Sequence, residues 1–121
     1  MYRFIGSIAV CAALLLGQSK AVTDARALMK DKKYEEAVAV LEPAFKAAPK
    51  DAVLKKTYVE ALMGNADANM YNDKLPPFKK YPTALRGYRE VVKLDPTNTK
   101  AKDNVAMIEG IYKSMGRPVP Q

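Results

Sequence analysis

Two stretches of this 121-residue chain decide its fold. They read YEEAVAVLEPAFKAAP at residues 34–49 and YPTALRGYREVVKLDP at residues 81–96. Aligned without a gap at a spacing of 47 residues, they pair Tyr34 with Tyr81, Ala37 with Ala84, Leu41 with Tyr88, Ala44 with Val91, Phe45 with Val92, Lys46 with Lys93 and Pro49 with Pro96. So many equivalent positions indicate one structural unit that occurs twice.

The apolar positions of each stretch recur at spacings of three and four residues. Ala37, Leu41 and Ala44 therefore share one face of a helix, and their equivalents share the same face of a second helix. Pro49 and Pro96 lie just beyond these faces, where a residue without an N–H cannot continue a helix. Asp51 and Asn98 follow at equivalent positions, and both residue types cap the N-terminus of a helix well. The pattern predicts a helix, a sharp stop and a capped new helix, twice.

The remaining segments carry helical periodicity as well. We expect helices over residues 22–30, from residue 52 to about residue 71, and over residues 100–115, the last ended by Gly116 and Pro118. A turn at residues 31–33 joins the first two helices. The chain is therefore predicted to be all-α, with helices in succession and no strands.

An insertion over about residues 64–80 separates the two units. Its first half is expected to lengthen the preceding helix, and Asn72 with Asp73 favours a turn. Leu75, Pro76, Pro77 and Phe78 are predicted to form an extended loop, because each proline restricts the residue before it. Pro82 is then expected at the first position of the next helix. This insertion loop either docks a partner or folds back, packing Tyr71 and Phe78 on the repeat.

The motif of Tyr34, Ala37, Leu41, Ala44 and Pro49, which recurs 47 residues later, resembles the second helix of the tetratricopeptide repeat. The run KLDPTN at residues 93–98 is similar to that family's repeat-to-repeat junction. The resemblance implies a short solenoid of helical hairpins over residues 22–116, with about two repeats, a C-terminal capping helix and a tail at residues 117–121. The tryptophan and the Leu-Gly pair of the family's first helix are missing. The period of 47 residues exceeds the family's 34, so HEAT-type helix pairs remain the alternative.

The resemblance also implies a protein-binding groove lined by the first helix of each pair. Its candidates by alignment are Arg26, Met29, Lys30, Val53, Lys56, Glu60, Met63, Lys100, Asp103 and Met107. Exposed methionines suit an adaptable apolar contact, although the same residues can instead fill gaps in the core. The paired Lys and Asn by which some family members hold a C-terminal carboxylate are not reproduced, since Val22 and Arg26 occupy those positions.

The first 21 residues have the three parts of a secretory signal peptide. Arg3 supplies the positive charge, residues 4–17 form the apolar centre, and Ser19 with Ala21 forms a small-x-small cleavage motif. A centre of about 14 residues reaches about 21 Å as a helix, which is shorter than a hydrocarbon core of about 30 Å. We expect export to the periplasm or the outside, with anchoring in a membrane by residues 4–17 as the alternative. Cys11 fits a lipoprotein acylation motif only loosely.

The composition excludes several kinds of chemistry. The chain has no histidine and a single cysteine, so a His- or Cys-based metal site and a nucleophile–histidine pair are both excluded. Its glycines never cluster into a phosphate-binding loop. We expect no enzyme activity, no cofactor and no metal, although composition alone leaves open a hydrolase that uses two carboxylates.

The net charge of +7 is spread along the chain without a long basic block. We interpret it as a solvated surface, with an acidic partner as the alternative, and do not expect nucleic acid as the partner. The predicted function is binding of a protein or peptide. The alternatives are an accessory subunit anchored by its N-terminal segment, or a basic binder of an anionic polymer or lipid. Self-association through apolar surface at the ends of the solenoid is a further hypothesis.

Overall fold

A computed structural model describes residues 19–121 of the chain, and helix is the only regular secondary structure in that range. The predicted all-α class is confirmed for these residues. Residues 1–18, which contain Cys11 and most of the predicted signal peptide, lie outside the described range. Residues 19–21 are helical and continue into residues 22–30 without a break.

The helices follow one another with short connections. Helix α1 covers residues 19–30 in its described part, and the other four are α2 (Tyr34–Ala47), α3 (Ala52–Met70), α4 (Pro77–Leu94) and α5 (Thr99–Ser114). The predicted turn at residues 31–33 and the predicted end of α3 are confirmed.

The described residues form two compact units, which divide between Tyr58 and Val59 within α3. The core of the first unit contains Ala25, Leu41 and Leu54, all fully buried. At its edge the rings of Phe45 and Tyr58 pack with centroids 5.2 Å apart. This core is built from the apolar faces that the sequence predicts.

The second unit, Val59–Gln121, packs α4 against α5 and against the C-terminal part of α3. Its fully buried side chains include Tyr88, Val91 and Ile108. Gly87 lies so close to α3 that a Cβ atom in its place would be 3.0 Å from the Cβ atom of Ala66. The absence of a side chain at Gly87 therefore allows these two helices to approach closely.

The junctions that follow α2 and α4 share the same pattern of backbone hydrogen bonds. The N–H of Ala48 donates to Ala44 O and that of Asp51 to Ala48 O, each at 3.1 Å. In the second copy, Asp95 donates to Val91 O at 2.7 Å and Asn98 to Asp95 O at 3.1 Å. Every one of these residues has its equivalent 47 positions away.

Both predicted helix caps are present. The Oδ1 atom of Asp51 accepts from the N–H of Leu54 at 3.1 Å, and that of Asn98 accepts from Ala101 at 3.0 Å. Each bond satisfies a backbone donor that a helix N-terminus leaves without an intrahelical partner. The prolines at 49 and 96 stand between the end of one helix and the cap of the next, as predicted.

The start of α4 differs from the prediction. The helix begins at Pro77, so Pro77 and Phe78 are helical rather than extended, and Pro82 lies inside the helix instead of at its first position. Pro76 is extended, with φ −69° and ψ 154°, because the following proline disfavours a helical conformation there. Its carbonyl accepts from Lys79 and Lys80 at 3.0 and 3.1 Å, which forms the first turn.

The insertion is therefore mostly helical. Helix α3 extends to Met70 and α4 begins four residues before Tyr81, so that only residues 71–76 connect them. The predicted turn is present there, since Asn72 Oδ1 accepts from the N–H of Lys74 at 3.0 Å.

Helices α1 and α5 end with the same left-handed motif. At α1 the residue with positive φ is Lys32, at 60°, and the N–H of Lys33 donates to Leu28 O at 2.8 Å. At α5 it is Gly116, at 66°, and Arg117 donates to Tyr112 O at 3.0 Å. This bonding satisfies carbonyls that a helix C-terminus leaves free. The predicted stop of the last helix at Gly116 is confirmed.

Candidate functional site

The predicted groove residues of the first unit lie at or near its surface. Arg26, Lys30 and Lys56 are exposed, Met29 is half-buried, and Val53 exposes 56% of its surface. Val53 is a large apolar side chain that lies outside the core, whereas the neighbouring Leu54 is fully buried. A surface contact is therefore available at Val53.

In the second unit the predicted residues divide by environment. Glu60 and Asp103 are exposed, Met63 is half-buried, and Met107 exposes 43% of its surface. The two roles considered for the methionines thus apply to different residues. Met107 is free for an outside contact, whereas Met63 contributes to packing.

Lys100, another predicted groove residue, belongs to a polar cluster that the sequence analysis missed. Its Nζ atom donates to Asp67 Oδ2 at 2.9 Å, and the hydroxyl of Tyr88 donates to Asp67 Oδ1 at 2.5 Å. Asp67 on α3 thereby connects side chains of α4 and α5. The partners are 21 and 33 residues from Asp67 along the chain, and no local pattern relates residues so far apart.

The cluster favours the protonated forms of Tyr88 and Lys100. Burial raises the pKa of Tyr88 far above its ordinary value, and the hydrogen bond to Asp67 raises it further. That same carboxylate raises the pKa of Lys100 by accepting its hydrogen bond. Tyr88 and Lys100 therefore stay protonated near neutral pH. Their hydrogen bonds to Asp67 link α3 to α4 and α5.

Asn104 lies beside this cluster and is a buried polar residue. Its amide faces the Tyr88 hydroxyl, where it favours the ionised phenol. Its Nδ2 atom is nevertheless buried outside hydrogen-bonding geometry with any residue in 19–121. Thr57, the equivalent residue 47 positions earlier, is also buried, but its hydroxyl donates to Val53 O at 2.7 Å. The second copy therefore contains an unsatisfied buried donor where the first has a satisfied one.

The insertion presents aromatic side chains to solvent. Tyr71 exposes 63% of its surface and Phe78 exposes 70%, and they stand at the two ends of the connection between α3 and α4. The alternative in which both rings pack on the repeat is therefore wrong. Leu75 and Pro76 are half-buried, and Pro77 is exposed. Lys74 and Lys79 are exposed nearby, and Lys80 Nζ lies 5.3 Å from the ring centroid of Tyr81.

No metal-binding cluster occurs in the described part of the chain, since no three acidic or cysteine side chains converge there. Among its helices, none combines the length and apolar character needed to cross a bilayer.

No protein-family model, no curated protein and no solved structure matches the chain. Function is therefore inferred from the chain's own residues.

Proposed function

We propose that this protein is a short tetratricopeptide-type repeat protein that binds a protein partner outside the cytoplasm and catalyses no reaction. The observation that carries the proposal is the recurrence of the junction: helix end, backbone hydrogen bonds and N-cap all return after 47 residues. Helical-hairpin repeats use their interiors to pack on neighbouring repeats and their surfaces to bind.

The distribution of exposed apolar side chains supports binding. Val53 and Met107 are groove candidates, while Tyr71 and Phe78 flank the insertion. Exposing large apolar side chains to water is unfavourable, and aromatic residues and methionine are enriched at protein interfaces. A partner that covers these residues would remove that cost.

The insertion is the more individual of the two surfaces. In the structure Phe78 stands in the first turn of α4, held by the hydrogen bonds of that turn to the Pro76 carbonyl. A ring on a helical turn is ordered before binding, so that a partner loses less entropy in contacting it. We therefore assign the main contact to Phe78 and Tyr71.

Export is part of the proposal and depends on residues 1–21. Their order of charge, apolar centre and small-residue motif supports cleavage after Ala21. The mature chain would then begin at Val22 and contain no cysteine, so its partner contact could not be a disulfide.

Chemical crosslinking of the full chain in its native host, with purification and intact-mass analysis, tests the proposal. We expect a mature mass that begins near Val22 and one discrete protein partner. Phe78→Ser and Met107→Ser should each reduce recovery of that partner at least about threefold, in the range expected for one apolar contact. Met115→Ser is the matched control, because Met115 is similarly exposed but lies at the end of α5.

Two results would contradict the proposal. If recovery of the partner decreases equally with all three substitutions, or with none of them, Phe78 and Met107 are not its contact residues. An uncleaved chain recovered with membrane subunits would favour the anchored accessory subunit instead.

A further inference from the structure

The outer face of α4 carries three cationic side chains in one row. Lys79, Arg86 and Lys93 are exposed and follow one another at intervals of seven residues, which places them on the same side of the helix. None of the three side chains makes an ion pair or a hydrogen bond within residues 19–121. The row spans about 21 Å at the rise of an α-helix.

A groove of about 450 Å³ runs beside the C-terminal part of this row. Apolar side chains of α4 line it at Pro82, Leu85 and Val92, and the tail contributes Pro120. Arg86 and Lys93 belong to the same lining. The groove thus offers an apolar floor with free positive charges on α4.

Arg89 holds the tail in place as one wall of the groove. Its Nη1 atom donates to the Pro120 carbonyl at 2.7 Å, and its Nη2 atom lies 3.5 Å from Glu109 Oε1 on α5. Arg89 is therefore occupied, whereas the guanidinium of Arg86 and the ammonium of Lys93 are available. Glu90 is the one acidic side chain in the lining and partly opposes them.

We propose that this groove binds an extended acidic segment of a protein partner, whose carboxylates pair with Arg86 and Lys93 while an apolar side chain contacts the half-buried Pro82 and Val92. The inference rests on the proposed protein-binding function and names the chemistry of a partner. Arginine suits carboxylates because its planar guanidinium can donate two parallel hydrogen bonds. The recess between helix and tail admits a chain but not the flat surface of a bilayer.

The test uses the full chain and a displayed library of random 12-residue peptides, followed by fluorescence anisotropy of the enriched peptides. We expect enrichment in Asp and Glu together with an apolar residue. The double variant Arg86→Glu/Lys93→Glu should weaken binding at least about tenfold, because each lost charge pair becomes a repulsion. Lys102→Glu/Lys113→Glu, which makes the same charge change at exposed positions of α5, should change it less than about threefold.

A gain of affinity offers a second readout that misfolding cannot produce. Glu90→Gln removes the opposing carboxylate from the lining and should tighten binding of the same peptides by about two- to fivefold. Circular dichroism of each variant establishes that the helices remain.

The inference is overturned if enriched peptides are not acidic, or if they bind the Arg86→Glu/Lys93→Glu variant unchanged. It is also overturned if no peptide binds in a way that depends on Arg86 and Lys93, while binding to vesicles containing phosphatidylserine does depend on them. If these variants leave recovery of a native protein partner intact while Phe78→Ser abolishes it, the groove assignment fails and the proposed function stands.

Discussion

Helices α2 and α4 carry the two copies of the sequence pattern that recurs after 47 residues, and they differ in their exposed side chains. Ala37 and Ala84 are both fully buried, as are Leu41 and Tyr88. Among the exposed side chains, α2 carries three glutamates and one lysine, whereas α4 carries three cationic residues and no acidic one. Burial restricts what the inner positions can be, while the outer positions are free to change with a binding partner. The difference therefore points to α4 and the insertion before it as the functional side.

The largest expected effect concerns the shared interior. Leu41→Ala and Tyr88→Ala should each lower the free energy of unfolding by about 3–5 kcal/mol, because each leaves a cavity at a fully buried site. Urea titration followed by circular dichroism measures both. Ala39→Ser, at an exposed position of α2, is the control and should change stability by less than about 0.5 kcal/mol. A small loss at either buried site would show that the two interiors are not equivalent.

Exchanging the buried polar residues sharpens the comparison. Asn104→Thr should stabilise the chain by about 1 kcal/mol, because it removes an unsatisfied donor and supplies a hydroxyl that can bond within its own helix. The reverse change, Thr57→Asn, should destabilise by about 1–3 kcal/mol. If both changes lower the free energy of unfolding, the Asn104 side chain makes a stabilising interaction and the two positions are not interchangeable.

The close approach at Gly87 distinguishes the second repeat, since the first has Val40 at the equivalent position. Gly87→Val should destabilise by about 1–3 kcal/mol, because the added atoms meet Ala66. The same substitution at Gly110, which has open space around it, should change stability by less than about 0.5 kcal/mol. Equal effects in thermal melts would mean that α3 and α4 do not require this contact.

Titration of the polar cluster gives the last difference. Tyr88 has a pKa raised above its ordinary value of 10.0, so above about pH 10 the unfolded chain loses a proton that the folded chain retains. This contribution to stability is complete below pH 10 and decreases as pH rises, by up to about 1.4 kcal/mol per pH unit. The raised pKa of Lys100 acts in the same direction. The free energy of unfolding, measured by urea titration from pH 8 to 11, should decrease less steeply with pH for Tyr88→Phe than for the unchanged chain. Equal slopes would argue against a contribution of the Tyr88 hydroxyl.

The elements that local rules govern could be predicted from the sequence. Pro49 and Pro96 end helices, and Asp51 and Asn98 cap the next ones, because each effect needs only residues within one helical turn. The start of α4 was missed because Pro77 and Pro82 suit the first helical position equally well by local criteria. The hydrogen bonds of the first turn to the Pro76 carbonyl show that the helix begins at Pro77, and these bonds cannot be read from the sequence.

Parts of the candidate site depend on contacts between distant residues. Asp67, Tyr88 and Lys100 come from three helices, and their meeting follows from packing rather than spacing. The exposure of Phe78 and the groove beside Arg86 likewise depend on how α4 and the tail lie in the second unit. The periodicity of the sequence predicts which face of each helix is buried, but not which helix or tail residues pack against that face.

The most direct test of a functional difference between the repeats compares two equivalent exposed positions in the native host. A photoreactive benzoylphenylalanine is placed at Thr83, between Lys79 and Arg86 on α4, or at Glu36, 47 residues earlier on α2. After irradiation, we predict a discrete crosslinked protein from position 83 and none from position 36. Equal crosslinking from both positions, or crosslinking from position 36 alone, would contradict the assignment of partner binding to the outer side of the second repeat.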